Sequence, residues 1–172
     1  MTVIEQGILT PAQLAARVRE LTVTPADWVA RVRLDPEGRW YEQIHVDGSY
    51  EIWLISWLPG HGTGFHDHGG SAGAFSVVWG ALDECVPPVA GDSDGAGDSG
   101  LVRDFGEARV RRVSPGLVRS FGSRYVHDVR NRSKSSVAVS VHAYSPPLSE
   151  MTRYDLTPGG LVVAGTEGTS DW

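Results

Sequence analysis

The chain is poor in features that would place it quickly. Its 172 residues include a single cysteine, Cys85, so no intrachain disulfide can form, and the composition fits a reducing compartment. The longest apolar runs are about seven residues, far short of the roughly 20 that a membrane-spanning helix needs. Met1 to Thr10 has neither a positive leader nor a long apolar stretch, so a cytoplasmic location with no membrane partner is the expectation. Basic residues are scattered, and a formal charge of -6 leaves no electrostatic footprint for nucleic acid. The densest basic segment, Arg109, Arg111 and Arg112, is interleaved with valine and reads as the solvated face of a strand. No internal repeat suggests a propeller.

What is present divides the chain in two. Thr10-Pro11 is a helix start signal, followed by Leu14, Val18 and Leu21 at helical spacing. Thr24-Pro25 repeats the signal, with Trp28, Val29 and Val32 as the apolar face, until Pro36 and Gly38 end it. From Trp40 onward short strands alternate with glycine-rich turns. The expected strands are 41–46, 50–58, 64–68, 74–80, 82–86, 101–104, 108–113, 117–121, 125–130 and 136–144. Residues 87–100, rich in Pro, Gly, Ser, Ala and Asp, read as a flexible surface loop. This predicts an all-β domain, a small barrel or jelly roll, with two short N-terminal α-helices. The single domain 1–172 comprises a helical segment 1–38, a barrel 40–147 and a C-terminal extension 148–172, of which the Gly- and Thr-rich tail after Pro158 is expected to be only partly ordered.

The chemistry starts at Gly64-Phe65-His66-Asp67-His68-Gly69. In an extended segment alternate side chains share a face, so His66 and His68 project together and Asp67 points away. Two neutral imidazoles can hold iron, zinc, copper or nickel, although solvated loop histidines would look the same. His127 offers a third imidazole, with Asn131 behind it. A second row, Ser140, His142 and Tyr144, shares one parity opposite Val139, Val141 and Ala143. Such a polar row is either satisfied inside a pocket or forms the outer face of an edge strand. His61, in a Gly-His-Gly turn, and His45, beside Asp47-Gly48, are expected to be structural or exposed. Trp40, Trp53, Trp57 and Trp79 are expected in the core and barrel wall, with one or two lining the pocket.

Gly60-His61-Gly62-Thr63-Gly64-Phe65-His66-Asp67-His68, then Ser114-Pro115-Gly116 before His127 and Asn131, resembles the two motifs of the cupins. The cupin pattern places a glutamate four or five residues after the second histidine; here those positions are Ala72 and Gly73. The expected centre therefore has three histidines and no carboxylate. Three neutral ligands leave the full charge on the metal, which favours anionic ligands and lowers the pKa of a bound thiol. Three histidines with water would equally suit a zinc hydrolase.

With Ser140, His142 and Tyr144 followed by Ser145-Pro146-Pro147, the set resembles the thiol dioxygenases of the cysteine dioxygenase family, from about Tyr41 to Pro147. The resemblance implies one Fe(II) per chain on His66, His68 and His127. It also implies an outer triad of Ser140, His142 and Tyr144, a small thiol and O2 as partners, and a cis Ser145-Pro146 bond. Animal members carry a cysteine, crosslinked to the tyrosine, where this chain has Gly73, so Tyr144 is expected to be an ordinary phenol. Their substrate-binding arginine, two residues after a tyrosine, is replaced in Tyr41-Glu42-Gln43 by glutamine. That is similar to the bacterial 3-mercaptopropionate dioxygenases, in which Arg153 matches a carboxylate-binding arginine by spacing. The expected substrate contacts are thus Arg153, Gln43 and Tyr41. The expected reaction is oxidation of a small thiol carboxylate, 3-mercaptopropionate first, to its sulfinate. The alternatives are cysteine or mercaptosuccinate as substrate and, in another class, a non-redox metal-binding sensor or zinc hydrolase. Monomer and homodimer both remain open.

Overall fold

The computed structural model describes residues 7–88 and 108–168. The expected strand 101–104 and most of the 87–100 loop lie outside them. Helix α1 (Pro11–Thr22) starts as the sequence indicates: Thr10 Oγ1 accepts from Gln13 N, and the Gln13 side chain accepts from Thr10 N. This reciprocal cap satisfies two donors that a helix start leaves open. Its buried face, Leu14, Ala15 and Val18, packs on Val139, Val141 and Ala143. Full burial of each large aliphatic residue contributes about 1.5–3 kcal/mol. The second expected helix forms only two 3-10 turns, Pro25–Asp27 and Val29–Arg31. There the Thr24 hydroxyl bonds back to the Glu20 carbonyl and caps nothing ahead of it.

Eleven strands follow among the described residues. The first nine are β1 (Trp40–Val46), β2 (Glu51–Trp57), β3 (Phe65–His66), β4 (Ala72–Trp79), β5 (Leu82–Val86), β6 (Arg109–Val113), β7 (Val118–Phe121), β8 (Asp128–Arg130) and β9 (Ala138–Ser145). The last two are β10 (Glu150–Thr157) and β11 (Gly160–Gly168). One sheet runs β1-β2-β9-β4-β7. Two three-stranded pieces, β11-β10-β3 and β6-β5-β8, face it. Two isolated antiparallel bridges, Gly62 with Arg130 and His66 with His127, join the segments that carry those pieces; His66 N donates to His127 O at 3.0 Å and His127 N to His66 O at 3.1 Å. Between the sheets lies a core that includes Trp57, Phe75, Leu82, Val113, Val129 and Tyr144. β9 is central and buried along its whole length, so the edge-strand alternative for Ser140, His142 and Tyr144 falls.

The C-terminal extension departs from expectation. Residues 150–168 form an ordered hairpin whose first strand pairs with β3, setting Arg153 opposite His66. Asp67 anchors it: one carboxylate oxygen accepts from Thr152 N and Gly69 N, the other from the Tyr154 hydroxyl at 2.7 Å. Gly69 (φ +56°) permits this closeness, because a Cβ there would lie 2.5 Å from the Glu150 carbonyl oxygen. Trp79 is 64% exposed, contrary to the core reading, whereas Trp53 and Trp57 do line the cavity. The Ser145-Pro146 bond is cis. No helix among the described residues is long and apolar enough to cross a membrane.

Candidate metal centre

His66 lies on β3, His68 two residues on, and His127 across the bridge that closes the barrel. One nitrogen of each falls within 4.8 Å of the others, and all three rings are buried. His66 Nδ1 donates to the Gly64 carbonyl at 3.0 Å, which leaves Nε2 as its free lone pair. Burial first, and the neighbouring His127 second, hold His66 well below the usual histidine range. The same causes keep His68 neutral. Neither nitrogen of the fully buried His68 makes a hydrogen bond; the Tyr125 carbonyl lies near the ring but outside bonding geometry. Buried orphan nitrogens are costly, and convergent neutral imidazoles are the donor set a transition metal requires. The residues fit a metal ion.

A carboxylate does serve this centre, one step further out. Glu84, on β5 and wholly buried, accepts from His127 Nδ1 at 3.0 Å, from Tyr125 Oη at 3.1 Å and from Arg119 Nε at 2.8 Å. Burial alone would raise its pKa, but the bonds and charges of His127 and Arg119 hold the carboxyl below its ordinary range. The contact fixes a proton on His127 Nδ1 and turns Nε2 toward the other ligands.

The second row forms a directed chain. Trp57 Nε1, which can only donate, bonds Ser140 Oγ at 2.8 Å, and Ser140 Oγ lies 2.8 Å from His142 Nε2. Trp57 Nε1 can accept nothing, so among the described residues His142 Nε2 is the acceptor within reach of the buried hydroxyl's proton. Burial brings the His142 pKa down to about 3, so the ring is neutral and carries its one proton on Nδ1. That proton faces Tyr144 Oη at 3.3 Å. The phenol proton of Tyr144 is then available to the cavity, and burial pushes its pKa upward.

The cavity, about 160 Å³, is bounded by His66, His127, His142 and Tyr144 on one side and by Trp53, Ile55, Val129, Leu148 and Met151 elsewhere. Tyr41 and Arg153 both line it. Arg39 and Glu167 line it too and were missed, because neither belongs to a motif. Gln43 does not line it: its amide donates to Glu51 Oε2 at 2.8 Å, and Glu51 in turn accepts from Leu148 N. Arg153 gives Nη1 to the Thr63 carbonyl at 3.1 Å and Nη2 to Glu167 at 2.7 Å. Elsewhere, Asn131 ties the Trp57 and Ser136 carbonyls, His61 Nδ1 accepts from Leu58 N, His45 meets Asp47, and Cys85 is buried.

A sequence model of cysteine dioxygenase type I matches residues 3–157. The chain belongs to the cysteine dioxygenase family. Cysteine dioxygenase type 1 of Danio rerio is 28% identical over 138 residues, 78% of this chain and 65% of the fish protein. The chain therefore spans about 65% of the length of that curated relative. In fold it is similar to a conserved Klebsiella pneumoniae protein with a double-stranded β-helix domain (TM-score 0.52, 13% identity, 80% of this chain and 93% of that one). It is also similar to a cupin superfamily protein from Desulfitobacterium hafniense (TM-score 0.51, 8% identity, 69% and 87%). The all-β cupin fold expected from the sequence is the one observed.

Against the cysteine-dioxygenase pattern, the Gly73 position is closed rather than merely empty. A Cβ there would lie 2.4 Å from the Phe121 ring and 3.1 Å from Tyr144 Cδ1. Phe121 cannot easily yield, being stacked between His68 (4.8 Å) and Tyr125 (4.9 Å). Gly73→Ala is expected to destabilise by about 1–3 kcal/mol, seen as a lower Tm, with partial recovery when Phe121→Leu is added. Glu84→Gln should weaken metal binding roughly 10–100-fold in equilibrium titrations while the fold persists by circular dichroism. An unfolded histidine takes up a proton near pH 6.5, whereas His66, His68 and His142 stay neutral when folded. Below that pH the unfolded state binds more protons, so stability falls as pH falls, by about 1.4 kcal/mol per unit for each such histidine. Thermal melts in chelator from pH 7.5 to 5 should show a steadily decreasing Tm.

Proposed function

We propose that the protein is a mononuclear non-haem iron(II) thiol dioxygenase that converts a small thiol carboxylate to its sulfinate. The observation that carries this reading is that His66 and His127 of the three-histidine set line the same cavity as Tyr144. In the reaction R–SH + O2 → R–SO2H both oxygen atoms pass to sulfur. Sulfur supplies the four electrons that O2 accepts, so no separate reductant is needed. Iron bound by His66, His68 and His127 would supply a centre at which thiolate and O2 meet. The chain's own residues do the rest. Tyr144, with its proton free and its acceptor side held by His142, donates to an oxygen of the bound reactants. Trp53, Ile55, Val129, Leu148 and Met151 exclude water and strengthen that bond.

The favoured substrate is 3-mercaptopropionate. Gln43 stands where the cysteine enzymes carry their carboxylate-binding arginine, and Arg153 is present in the cavity wall. The absence of a spare acceptor for an ammonium group also supports this choice. Glu167, the one carboxylate lining the cavity among the described residues, is already paired with Arg153. Cysteine and mercaptosuccinate are the competing substrates.

Iron-reconstituted protein should consume one O2 per thiol and give a product carrying two atoms of labelled oxygen from 18O2. The kcat/KM for 3-mercaptopropionate should exceed that for cysteine by roughly 10-fold or more. His127→Ala should lose iron on gel filtration and lose activity with it. Iron-loaded protein that consumes no O2 with any thiol would overturn the reading, and a higher kcat/KM for cysteine would overturn the substrate assignment.

A further inference from the structure

The charged side chains lining the cavity among the described residues are Arg39, Arg153 and Glu167. Arg153 is committed: both ends of its guanidinium fork are held, one by a carboxylate at 2.7 Å and the other by a backbone carbonyl. Arg39 is not. It precedes β1, is half-buried, and makes no ion pair or hydrogen bond among the described residues. What it does touch is Trp57, whose ring centroid lies 5.3 Å from Arg39 Cζ. A stacking contact of this kind orients a guanidinium while leaving its five N–H donors open. A partly buried cation with open donors is unfavourable until an anion arrives.

We propose that Arg39, rather than Arg153 or Gln43, receives the substrate carboxylate, and that the cavity selects thiols bearing one carboxylate over those bearing two. This inference rests on the thiol dioxygenase reading and names the specificity-determining residue of that site. With Arg153 neutralised by Glu167, the cavity wall holds one uncompensated positive charge, which one carboxylate satisfies. A second carboxylate would meet only the apolar wall or Glu167 itself. Position agrees with charge, since Arg39 and Tyr41 alternate onto the cavity face of the same strand entry. Burial pushes the Arg39 pKa down from its ordinary value, the desolvation cost that a paired anion would offset.

The test is binding of thiols to iron-loaded protein under anaerobic conditions, read by tryptophan fluorescence and calorimetry, so that it does not depend on whether O2 is later consumed. The probes are 3-mercaptopropionate, 3-mercaptopropan-1-ol (which lacks the carboxylate) and mercaptosuccinate. Arg39→Gln should weaken 3-mercaptopropionate binding roughly 10–100-fold, the range for losing a charge-assisted contact, and leave the alcohol within about 2-fold. Arg39→Lys, which keeps the charge without the fork, should recover part of the loss. Arg153→Gln should weaken the acid less than Arg39→Gln does, and wild-type protein should bind mercaptosuccinate no more tightly than the monocarboxylate. In turnover, Arg39→Gln should raise KM for the acid more than it lowers kcat. Unchanged acid binding in Arg39→Gln, equal losses for acid and alcohol, or a larger loss in Arg153→Gln would each overturn the assignment. Tighter binding of mercaptosuccinate would overturn the single-carboxylate selectivity. If binding behaves as expected but no thiol supports O2 uptake, the carboxylate site stands and the dioxygenase reading fails.

Discussion

Three imidazoles buried against one another tie this structure to a metal ion. His68 exposes no surface and bonds nothing through either ring nitrogen, while Phe121 and Tyr144 stack on it at 4.8 and 5.2 Å. Unsatisfied buried polar atoms of this sort cost about 1–3 kcal/mol each, and a metal turns the same lone pairs into bonds. The location compounds the effect. The His66–His127 bridge joins the two halves of the second sheet, so the metal centre is also the seam of the barrel. Binding energy at that seam becomes folding energy, and the hairpin anchored by Asp67 holds β3 in register from the other side.

Glu84 changes what the three-histidine set means. A carboxylate among the ligands would occupy a coordination position and cancel a charge directly. Placed behind His127, it leaves the position open and acts by making one imidazole a stronger donor. Its own charge is shared with Arg119 and Tyr125, so the transfer of negative character toward the metal is partial. Under the proposed reading the centre thus remains electron-poor enough to draw in a thiolate, and one of its three ligands is locked in tautomer and direction.

The parts legible in the sequence are those with local periodicity. The two-residue alternation gave His66 with His68, and Ser140 with His142 and Tyr144; the Thr10-Pro11 signal gave α1. Glu84 was not legible because its partner His127 lies 43 positions away, and a glutamate in a strand reads as surface charge. Its shared parity with buried Leu82 was the one available sign. Bulges blurred the rest. The irregularity between Arg153 and Tyr154 shifts the alternation of β10, and with Pro158-Gly159-Gly160 behind it the hairpin looked like a loose tail. The irregularity between Val77 and Trp79 likewise accompanies the outward turn of a tryptophan that size alone assigned to the core. Gln43 shows the opposite limit: its spacing from Tyr41 fixed its place on β1 but not the rotamer that carries its amide to Glu51.

Trp57 links the two ends of the cavity. Its face lies under Arg39, and its N–H starts the chain through Ser140 and His142 to Tyr144. A single rigid ring, wholly buried, therefore sets both where an anion can sit and which way the phenol proton points. Neither group on that chain changes charge near neutrality, since His142 titrates at about 3 and the Tyr144 pKa is pushed upward by burial. The ring nitrogens of His142 are both engaged, and Glu167 is tied to Arg153. Among the described residues no side chain lining the cavity is thus free to serve as a base, so under the proposed reading the thiol proton leaves to solvent as the substrate enters. The protein's contribution is then positional and electrostatic, with proton donors fixed in advance of the reaction rather than exchanged during it.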